Sequence, residues 1–133
     1  MEYAEFVEKV QTRAELETGD LALAAIQATL ETLGERLERD ERRKLAAELP
    51  AGMKEYPLKR QETARYRLGE FYNRVAARAD LRVPEAINRS QVVVSVLQEA
   101  VSAGLLNQIR AQLPEQYDEL FTGEPYGPGS PSA

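Results

Sequence analysis

The sequence predicts an all-α fold in which two tandem copies of a three-to-four-helix unit pack as one helical bundle domain. Three observations lead to this prediction. Apolar residues recur at the spacing of helix faces, no segment alternates apolar and polar residues as a strand does, and the chain matches itself at an offset of 65 residues. With 133 residues, of which 43% are hydrophobic, the chain is long enough to bury one core without cross-links.

The internal match is clearest where residues 5–16 (EFVEKVQTRAEL) align with residues 70–81 (EFYNRVAARADL), because six of these twelve positions are identical. A slip of one residue then aligns the segments that follow, and four of the five apolar positions of the next stripe stay apolar. We therefore predict repeat units at about residues 3–57 and 62–121, which together form a single domain over residues 1–121.

The first helix of each unit is predicted from one apolar stripe with the spacing i, i+3, i+4 and i+7. The stripes consist of Tyr3, Phe6, Val7 and Val10 in the first unit and of Leu68, Phe71, Tyr72 and Val75 in the second. This pattern places the rings of Phe6 and Phe71 in a core that the two units share.

The second helix of each unit carries apolar residues at alternating intervals of three and four, which is the spacing of a helix–helix seam. In the first unit these residues are Leu23, Ile26, Leu30, Leu33 and Leu37. Thr18 is a suitable N-cap for this helix, and Pro84 with Glu85 suits the first turn of its counterpart in the second unit.

The third helix of each unit is shorter, and it must end near a proline, Pro50 or Pro114, that restricts the preceding residue. Its predicted apolar residues in the two units are Leu45, Leu49, Ile109 and Leu113. The turns predicted to close the units contain Met53, Tyr56, Tyr117 and Leu120. Residues 57–61 (PLKRQ) are predicted to connect the units, and the Gly-, Pro- and Ser-rich residues 122–133 to form a disordered tail.

The repeated pattern of an EF..(K/R)V..R.(E/D)L helix, a heptad helix and a closing A-x-L-P resembles the bacterial family known as domain of unknown function 2267. The similarity extends over about residues 3–121, nearly the whole chain before the tail. It implies an all-α, cytoplasmic bacterial protein. It brings no reaction and no binding residues, since the repeated motifs are packing motifs.

The composition excludes several kinds of chemistry, because the chain contains no Cys, no His and no Trp. Disulfides, zinc sites built on thiolate or imidazole, and Cys–His or Ser–His–Asp catalysis are therefore impossible in this chain. The glycine-rich phosphate motifs and the G-x-S-x-G motif are also absent. We predict no catalytic residues, no cofactor and no metal site, and we expect the Ser90 hydroxyl to bond a carbonyl one helical turn back.

No apolar run is long enough to cross a membrane, and the first residues (MEYAE) are acidic where a signal peptide is basic. We therefore expect no membrane partner and a cytoplasmic location.

Carboxylates alone can bind Mg²⁺ or share a proton, so Glu5 and Glu70, which occupy equivalent repeat positions, are an alternative candidate site. The favoured interpretation is a surface ion pair of each with the base four residues later, Lys9 or Arg74.

The middle of the chain is basic, since residues 35–90 contain fourteen basic and ten acidic residues, net +4, between ends of net −5 and −4. The candidate residues for binding a polyanion are Arg42, Arg43, Arg60, Arg65 and Arg67. Pairing at i, i+4 favours a solvated helix face instead, and the predicted pairs are Glu35–Arg39, Glu38–Arg42 and Asp40–Lys44. A further alternative is that the acidic ends dock on this middle. Tyr72 is predicted in the core, which leaves Tyr66 as the aromatic available for stacking on bases.

We therefore expect a non-catalytic helical interaction or regulatory module, because the sequence repeats packing stripes and shows no catalytic constellation. Its expected partner is an unidentified protein or a second copy of the chain. The alternative function is polyanion or nucleic-acid binding through the Arg-rich middle. We rank nucleic acid lower, because the sequence pI of about 4.9 is far below the values typical of such proteins.

Overall fold

The computed structural model describes residues 1–124, which form seven α-helices and two 3₁₀ turns and contain no strand. The all-α prediction is confirmed. The helices are α1 (Tyr3–Arg13), α2 (Gly19–Arg36), α3 (Arg39–Glu48), α4 (Leu68–Ala79), α5 (Val83–Ala100), α6 (Ala103–Ala111) and α7 (Asp118–Thr122). The 3₁₀ turns span Tyr56–Leu58 and Glu115–Tyr117.

The three main helices of the first half of the chain have nearly the same lengths as the three of the second half, in the same order. α1, α2 and α3 have 11, 18 and 10 residues, and α4, α5 and α6 have 12, 18 and 9. Both α1 and α4 are followed by an acidic residue in the left-handed conformation, Glu15 (φ 53°) and Asp80 (φ 56°). The leucine after each, Leu16 or Leu81, donates its N–H to a carbonyl five residues back. The tandem-copy arrangement itself stays a prediction.

The core is one cluster of buried side chains to which all seven α-helices of residues 1–124 contribute. Phe6 and Val10 of α1 and Phe71 and Val75 of α4 are completely buried in it, as the two apolar stripes predict. The ring of Tyr117 packs edge-on against the ring of Phe71, with 5.8 Å between the centroids. Tyr72 is also buried, which confirms its assignment to the core.

α2 lies at the centre of the packing, in contact with α1, α4, α5 and the first 3₁₀ turn. Its C-terminal part approaches that turn so closely that a Cβ on Gly34 would lie 2.1 Å from the carbonyl oxygen of Pro57. Gly34 is therefore required for this contact, because any side chain would overlap backbone atoms. The close approach fixes the C-terminal part of α2 against this turn.

The helix ends follow the capping signals of the sequence with two differences. The Thr18 hydroxyl accepts a hydrogen bond from the Leu21 N–H at 3.2 Å, and the Glu85 carboxylate accepts one from the Arg82 N–H, as expected for N-terminal caps. α3 ends at Glu48 and α6 at Ala111, so Leu49 and Leu113 lie just beyond helices that were predicted to contain them. Leu49 is extended (ψ 156°) because it precedes a proline.

The connection between the two halves is longer than the predicted residues 57–61, since it runs from residue 59 to residue 67. It is held against the C-terminal end of α2, where the Ala64 N–H donates to the Glu35 carbonyl at 2.8 Å and the Thr63 hydroxyl to the Leu37 carbonyl at 2.8 Å. Of the predicted tail, Thr122 ends α7, whereas residues 125–133 lie outside the described residues. None of the helices within residues 1–124 has the length and apolarity to cross a membrane.

Candidate functional site

Charged and aromatic side chains converge where the C-terminal end of α2 meets α4 and the connection. Four of the side chains concerned come from α2 and α3: Glu31, Glu35, Arg36 and Arg42, all buried. Their partners come from the connection, from α4 and from the second 3₁₀ turn. The tertiary structure therefore brings buried charged groups together at one place.

Glu35 is the centre of an ion-pair network between α2 and α4. One of its oxygens lies 2.9 Å from Nη1 of Arg74 and 3.1 Å from Nη2 of Arg78, and the Tyr66 hydroxyl donates to it at 2.7 Å. Burial by itself raises the pKa of Glu35, but the hydrogen bonds from Arg78, Tyr66 and Arg74 outweigh it and lower that pKa to about 2. The carboxylate is thus ionised at neutral pH and fully engaged.

Tyr66 lies inside this network and is not available for stacking on a base. The guanidinium of Arg74 lies 4.1 Å from the centroid of its ring, and that of Arg36 lies 5.6 Å from it. Burial and the bond to Glu35 both raise the pKa of the Tyr66 hydroxyl. The expectation that Tyr66 is the free aromatic is therefore wrong, because two cations and a carboxylate already occupy it.

Arg36 is a buried cation, 5% exposed, that contacts no carboxylate in the described part of the chain. Its Nε donates to the Tyr66 carbonyl and to the Tyr117 hydroxyl, both at 3.1 Å. Nη1 reaches the Ala64 carbonyl only at 3.5 Å. The ring of Tyr117, 5.2 Å away, adds a cation–π contact. Neutral acceptors and aromatic faces therefore hold this positive charge.

Arg42 is the second such cation, and it corrects the sequence prediction that placed it among the polyanion-binding residues. It is only 3% exposed. Its guanidinium donates to the carbonyls of Gly34 (2.8 Å), Leu37 (2.8 Å) and Gln61 (2.5 Å) and to the Thr63 hydroxyl (2.9 Å). These bonds tie α3 and the connection to the C-terminal end of α2, so Arg42 stabilises the fold and is not free to bind an anion.

We expect Arg42→Ala to lower the free energy of unfolding by about 2 kcal/mol, because it removes the buried guanidinium and its four hydrogen bonds to Gly34, Leu37, Gln61 and Thr63. Arg43→Ala is the matched control, since Arg43 is the next residue on α3 but is exposed and has no partner within residues 1–124. Its effect should stay within about 0.5 kcal/mol. Urea unfolding of both variants measures the difference, and equal losses would contradict the anchoring role of Arg42.

The other predicted basic residues have different environments. Arg60 lies 3.3 Å from Glu31, and Arg65 lies 2.7 Å from Glu38 with its side chain 77% exposed. Arg67 is exposed and has no partner in the described part of the chain. Most basic side chains of the middle are thus paired internally, and three arginines have no partner within residues 1–124: Arg39, Arg43 and Arg67.

The predicted i, i+4 pairs of α3 do not form. Glu35 binds α4 instead of Arg39, Glu38 binds Arg65 instead of Arg42, and the carboxylate that pairs with Lys44 is that of Glu41, at 3.9 Å. For Glu35 and Glu38 the physical reason is that another element presents a cation to each of them. The predicted pairs on α1 and α4 are confirmed, with Glu5–Lys9 at 3.5 Å and Glu70–Arg74 at 2.9 Å.

Two further expectations concern chemistry. Glu5 and Glu70 each pair with their own helix, and no group of three or more acidic side chains placed to hold a metal occurs within residues 1–124. The Ser90 hydroxyl donates to the Ala86 carbonyl at 2.7 Å, as predicted for a serine at a helix seam. These side chains are therefore engaged in local structure.

Several surface clefts border the buried network, and two of them are lined by its arginines Arg36 and Arg42. The first, which we name the arginine cleft, has a volume of about 420 Å³ and is lined by Arg36, Arg65, Tyr66, Arg67, Gln112, Leu113 and Pro114. The second, which we name the Leu58 surface, has a volume of about 540 Å³ and is lined by Arg39, Arg42, Arg43, Leu58, Gln61 and Glu62. The two clefts share no residue.

Sequence reasoning missed Glu35 and Arg36 as the centre of the buried network. A signal for Glu35 existed in the repeat, because Lys9 and Arg13 align with Arg74 and Arg78, while Glu35 aligns with Glu99 one residue out of register. In the structure Lys9 and Arg13 bind Glu99, at 2.8 and 2.5 Å, as Arg74 and Arg78 bind Glu35. Arg36 gave no such signal, because its partners are backbone carbonyls, a hydroxyl and two aromatic rings from distant segments.

The family model described as "Uncharacterized conserved protein (DUF2267)" matches residues 3–120. A search of curated proteins finds no match.

Proposed function

This chain belongs to the DUF2267 family of uncharacterised conserved proteins, and from that premise we propose that it is a non-catalytic helical module that binds another protein. The family description names no activity, so the proposal depends on the surfaces and buried groups of this chain. The observation that carries it is the Leu58 surface, where an exposed leucine lies in one cleft with two arginines that have no partner within residues 1–124.

The absence of catalysis is proposed because the buried ionisable groups already have structural partners. Glu35, whose pKa is lowered to about 2, has no proton to donate at neutral pH and is a poor base there. Burial raises the pKa of the Tyr66, Tyr72 and Tyr117 hydroxyls, which keeps them protonated. An enzyme's acid or base needs a pKa near the working pH.

The chemistry of the Leu58 surface indicates what kind of partner fits it. Leu58 is 39% exposed, and it supplies an apolar contact in the lining of the cleft. Arg39 and Arg43 supply two positive charges to the cleft. Arg42, which within residues 1–124 bonds to carbonyls and not to a carboxylate, adds a third. The one negative charge that the described residues bring to the lining is that of Glu62. We therefore propose an acidic protein segment that inserts one apolar side chain, with its carboxylates on Arg39 and Arg43.

A photocrosslinking amino acid at position 58 tests this proposal in cells that produce the protein. We expect a discrete adduct from position 58 that Arg39→Glu combined with Arg43→Glu abolishes. The matched control is position 83, because Val83 is 40% exposed but lies outside the Leu58 surface. Adducts of equal yield from both positions, or none from position 58, would remove the support for an interface here. An adduct of twice the chain's mass identifies the partner as a second copy.

The alternative function, binding of a polyanion through the basic middle, has weaker support. Arg42 is buried, Arg60 and Arg65 are paired with Glu31 and Glu38, and only Arg43 and Arg67 of the five predicted residues lack a partner within residues 1–124. A phosphate backbone needs several free cations along one face.

A regulatory role, a bacterial source and a cytoplasmic location stay part of the proposal as the sequence suggested them.

We also propose that the two halves of the chain are two copies of one helical unit. Three similarities between the halves support this proposal. The helices have nearly the same lengths in the same order, and the first helix of each half is followed by a left-handed acidic residue, Glu15 or Asp80. The ion pairs of Glu99 with α1 also correspond to those of Glu35 with α4. In this arrangement the first helix of each unit binds a carboxylate on the second helix of the other. Both pairs of contacts, α1 with α5 and α2 with α4, are then the same contact made twice.

A further inference from the structure

The arginine cleft contains a buried positive charge for which the described part of the chain supplies no negative partner. Arg78, which is similarly enclosed, has the Glu35 carboxylate at 3.1 Å, whereas Arg36 has carbonyl, hydroxyl and aromatic contacts alone. Neutral acceptors compensate a guanidinium less well than a carboxylate does. Removing such a group from water without a counter-charge is costly.

One end of the Arg36 guanidinium still has donors to offer. Nε is bonded at 3.1 Å, but Nη1 meets its acceptor only at 3.5 Å and Nη2 meets none within residues 1–124. Thr29 Oγ1 is the sole fully buried side-chain polar atom there without a partner. Nη2 therefore keeps contact with solvent, and Arg36 reaches solvent where it lines the arginine cleft.

The remaining charges of the cleft are also positive. Arg67 has no partner within residues 1–124, and Arg65 is offset by Glu38 at 2.7 Å. No acidic side chain lines the cleft. Of the three arginines that line the cleft, Arg65 is offset by Glu38, and the Glu41 carboxylate bonded to Gln112 lies 3.9 Å from Lys44. The charges of the other two arginines match a dianion such as a phosphate monoester, whose charge near pH 7 is −1.5 to −2.

Part of the lining of the cleft is apolar. Leu113 and Pro114 supply this part, and the amide of Gln112 is occupied by the Glu38 N–H and the Glu41 carboxylate. A ligand in this cleft therefore meets both cations and hydrocarbon. The volume of about 420 Å³ is within the range of small-molecule sites.

We propose that the arginine cleft binds a small organic phosphate monoester, with its phosphate on Nη2 of Arg36 and on Arg67 and its organic part against Leu113 and Pro114. The planar guanidinium of Arg36 is preorganised by Tyr66 and Tyr117, which lowers the entropic cost of binding. This site goes beyond the proposed protein interface, because the arginine cleft and the Leu58 surface have no residue in common.

Titration of the ¹⁵N-labelled full chain with phenyl phosphate, followed by NMR of the arginine Nε–H signals, tests the site. We expect saturable shifts of the Arg36 signal and tighter binding of phenyl phosphate than of inorganic phosphate or of the monoanion benzoate. Arg67→Gln should weaken binding by about fivefold or more, because it removes a charged hydrogen bond. The control is Arg43→Gln, because Arg43 lies outside the arginine cleft and also has no partner within residues 1–124. This variant should leave the affinity for phenyl phosphate unchanged within about twofold.

Several results would overturn this assignment. One is the absence of a saturable shift up to about 10 mM phenyl phosphate, which corresponds to a negligible affinity. Equal weakening by Arg43→Gln would show that binding follows net charge instead of the cleft. If benzoate binds as tightly as phenyl phosphate, the site does not select a dianion. If inorganic phosphate binds as tightly, the organic part of the ligand makes no contribution. A short DNA duplex that displaces phenyl phosphate and depends equally on Arg43 would favour the polyanion alternative.

Discussion

Gly34→Ala is expected to destabilise the protein by at least about 3 kcal/mol, the upper end of the cost of overpacking a core. The new Cβ would lie 2.1 Å from the carbonyl oxygen of Pro57 and 2.7 Å from both its carbonyl carbon and its Cα. These are backbone atoms, so no side-chain rotation relieves the overlap. α2 and the first 3₁₀ turn must then separate, which also pulls Gly34 away from the guanidinium of Arg42.

Gly69→Ala is the matched control for this prediction. Gly69 lies in the first turn of α4, and a Cβ there would meet nothing within 4 Å. Alanine is the better helix former, so we expect a gain of roughly 0.5–1 kcal/mol. Urea unfolding with circular dichroism measures both variants. If Gly34→Ala unfolds at the wild-type urea concentration, the close contact of α2 with Pro57 is not a feature of the folded protein.

Glu35→Gln is expected to lower the free energy of unfolding by about 3 kcal/mol, because it leaves two cations beside a neutral group in a buried site. Arg78 has a side chain only 16% exposed, and its partners would then be the amide and the hydroxyl of Thr32. The Tyr66 hydroxyl also loses its charged acceptor. Thermal and urea unfolding at pH 7 give the magnitude.

Glu99→Gln separates the effect of burial from the effect of pairing. Glu99 binds two bases of α1 as Glu35 binds two bases of α4, but its side chain is 41% exposed whereas that of Glu35 is 9% exposed. Solvent screens the exposed pair, so its loss should be a small fraction of the loss at Glu35. Equal losses at the two positions would mean that burial does not strengthen the Glu35 network.

We also expect the effect of Glu35→Gln on stability to depend on pH. The pKa of Glu35 in the folded protein, about 2, is below its ordinary value of 4.5, so the ionised carboxylate stabilises the fold above about pH 5. This contribution, about 3 kcal/mol, is lost as the pH falls from 5 towards 2. The gap in stability between wild type and Glu35→Gln should therefore shrink over that range. A gap that stays constant from pH 7 to pH 2.5 would contradict the lowered pKa.

The repeated apolar stripes made the helices and the core predictable from sequence. Phe6 and Phe71, at matching places of two stripes, are both completely buried, and Thr18 caps α2 as expected. Helix periodicity and capping depend on residues within one or two turns, so the sequence contains that information locally. The errors lie at the ends of α3 and α6, where the proline acts one or two residues earlier than predicted.

The charged site was much less predictable than the helices. Sequence spacing assigned Glu35 to Arg39 and Glu38 to Arg42, but Glu35 binds Arg74 and Arg78 of α4. The i, i+4 rule compares side chains on one helix and gives each pair only a few tenths of a kcal/mol. A buried partner from another helix outweighs that energy, and only the packing of α2 against α4 brings it into reach.

The amino-acid sequence by itself therefore determined the helical class, the apolar faces and the exclusion of thiolate and imidazole chemistry, because these follow from composition and local periodicity. The tertiary structure alone decided that Arg42 anchors the connection, that Arg36 faces a cleft without a carboxylate partner in the described chain, and that Gly34 touches Pro57. Each of these depends on segments more than a helical turn apart in the chain. Burial, which sets the strength of charged contacts, exists only after those segments pack together.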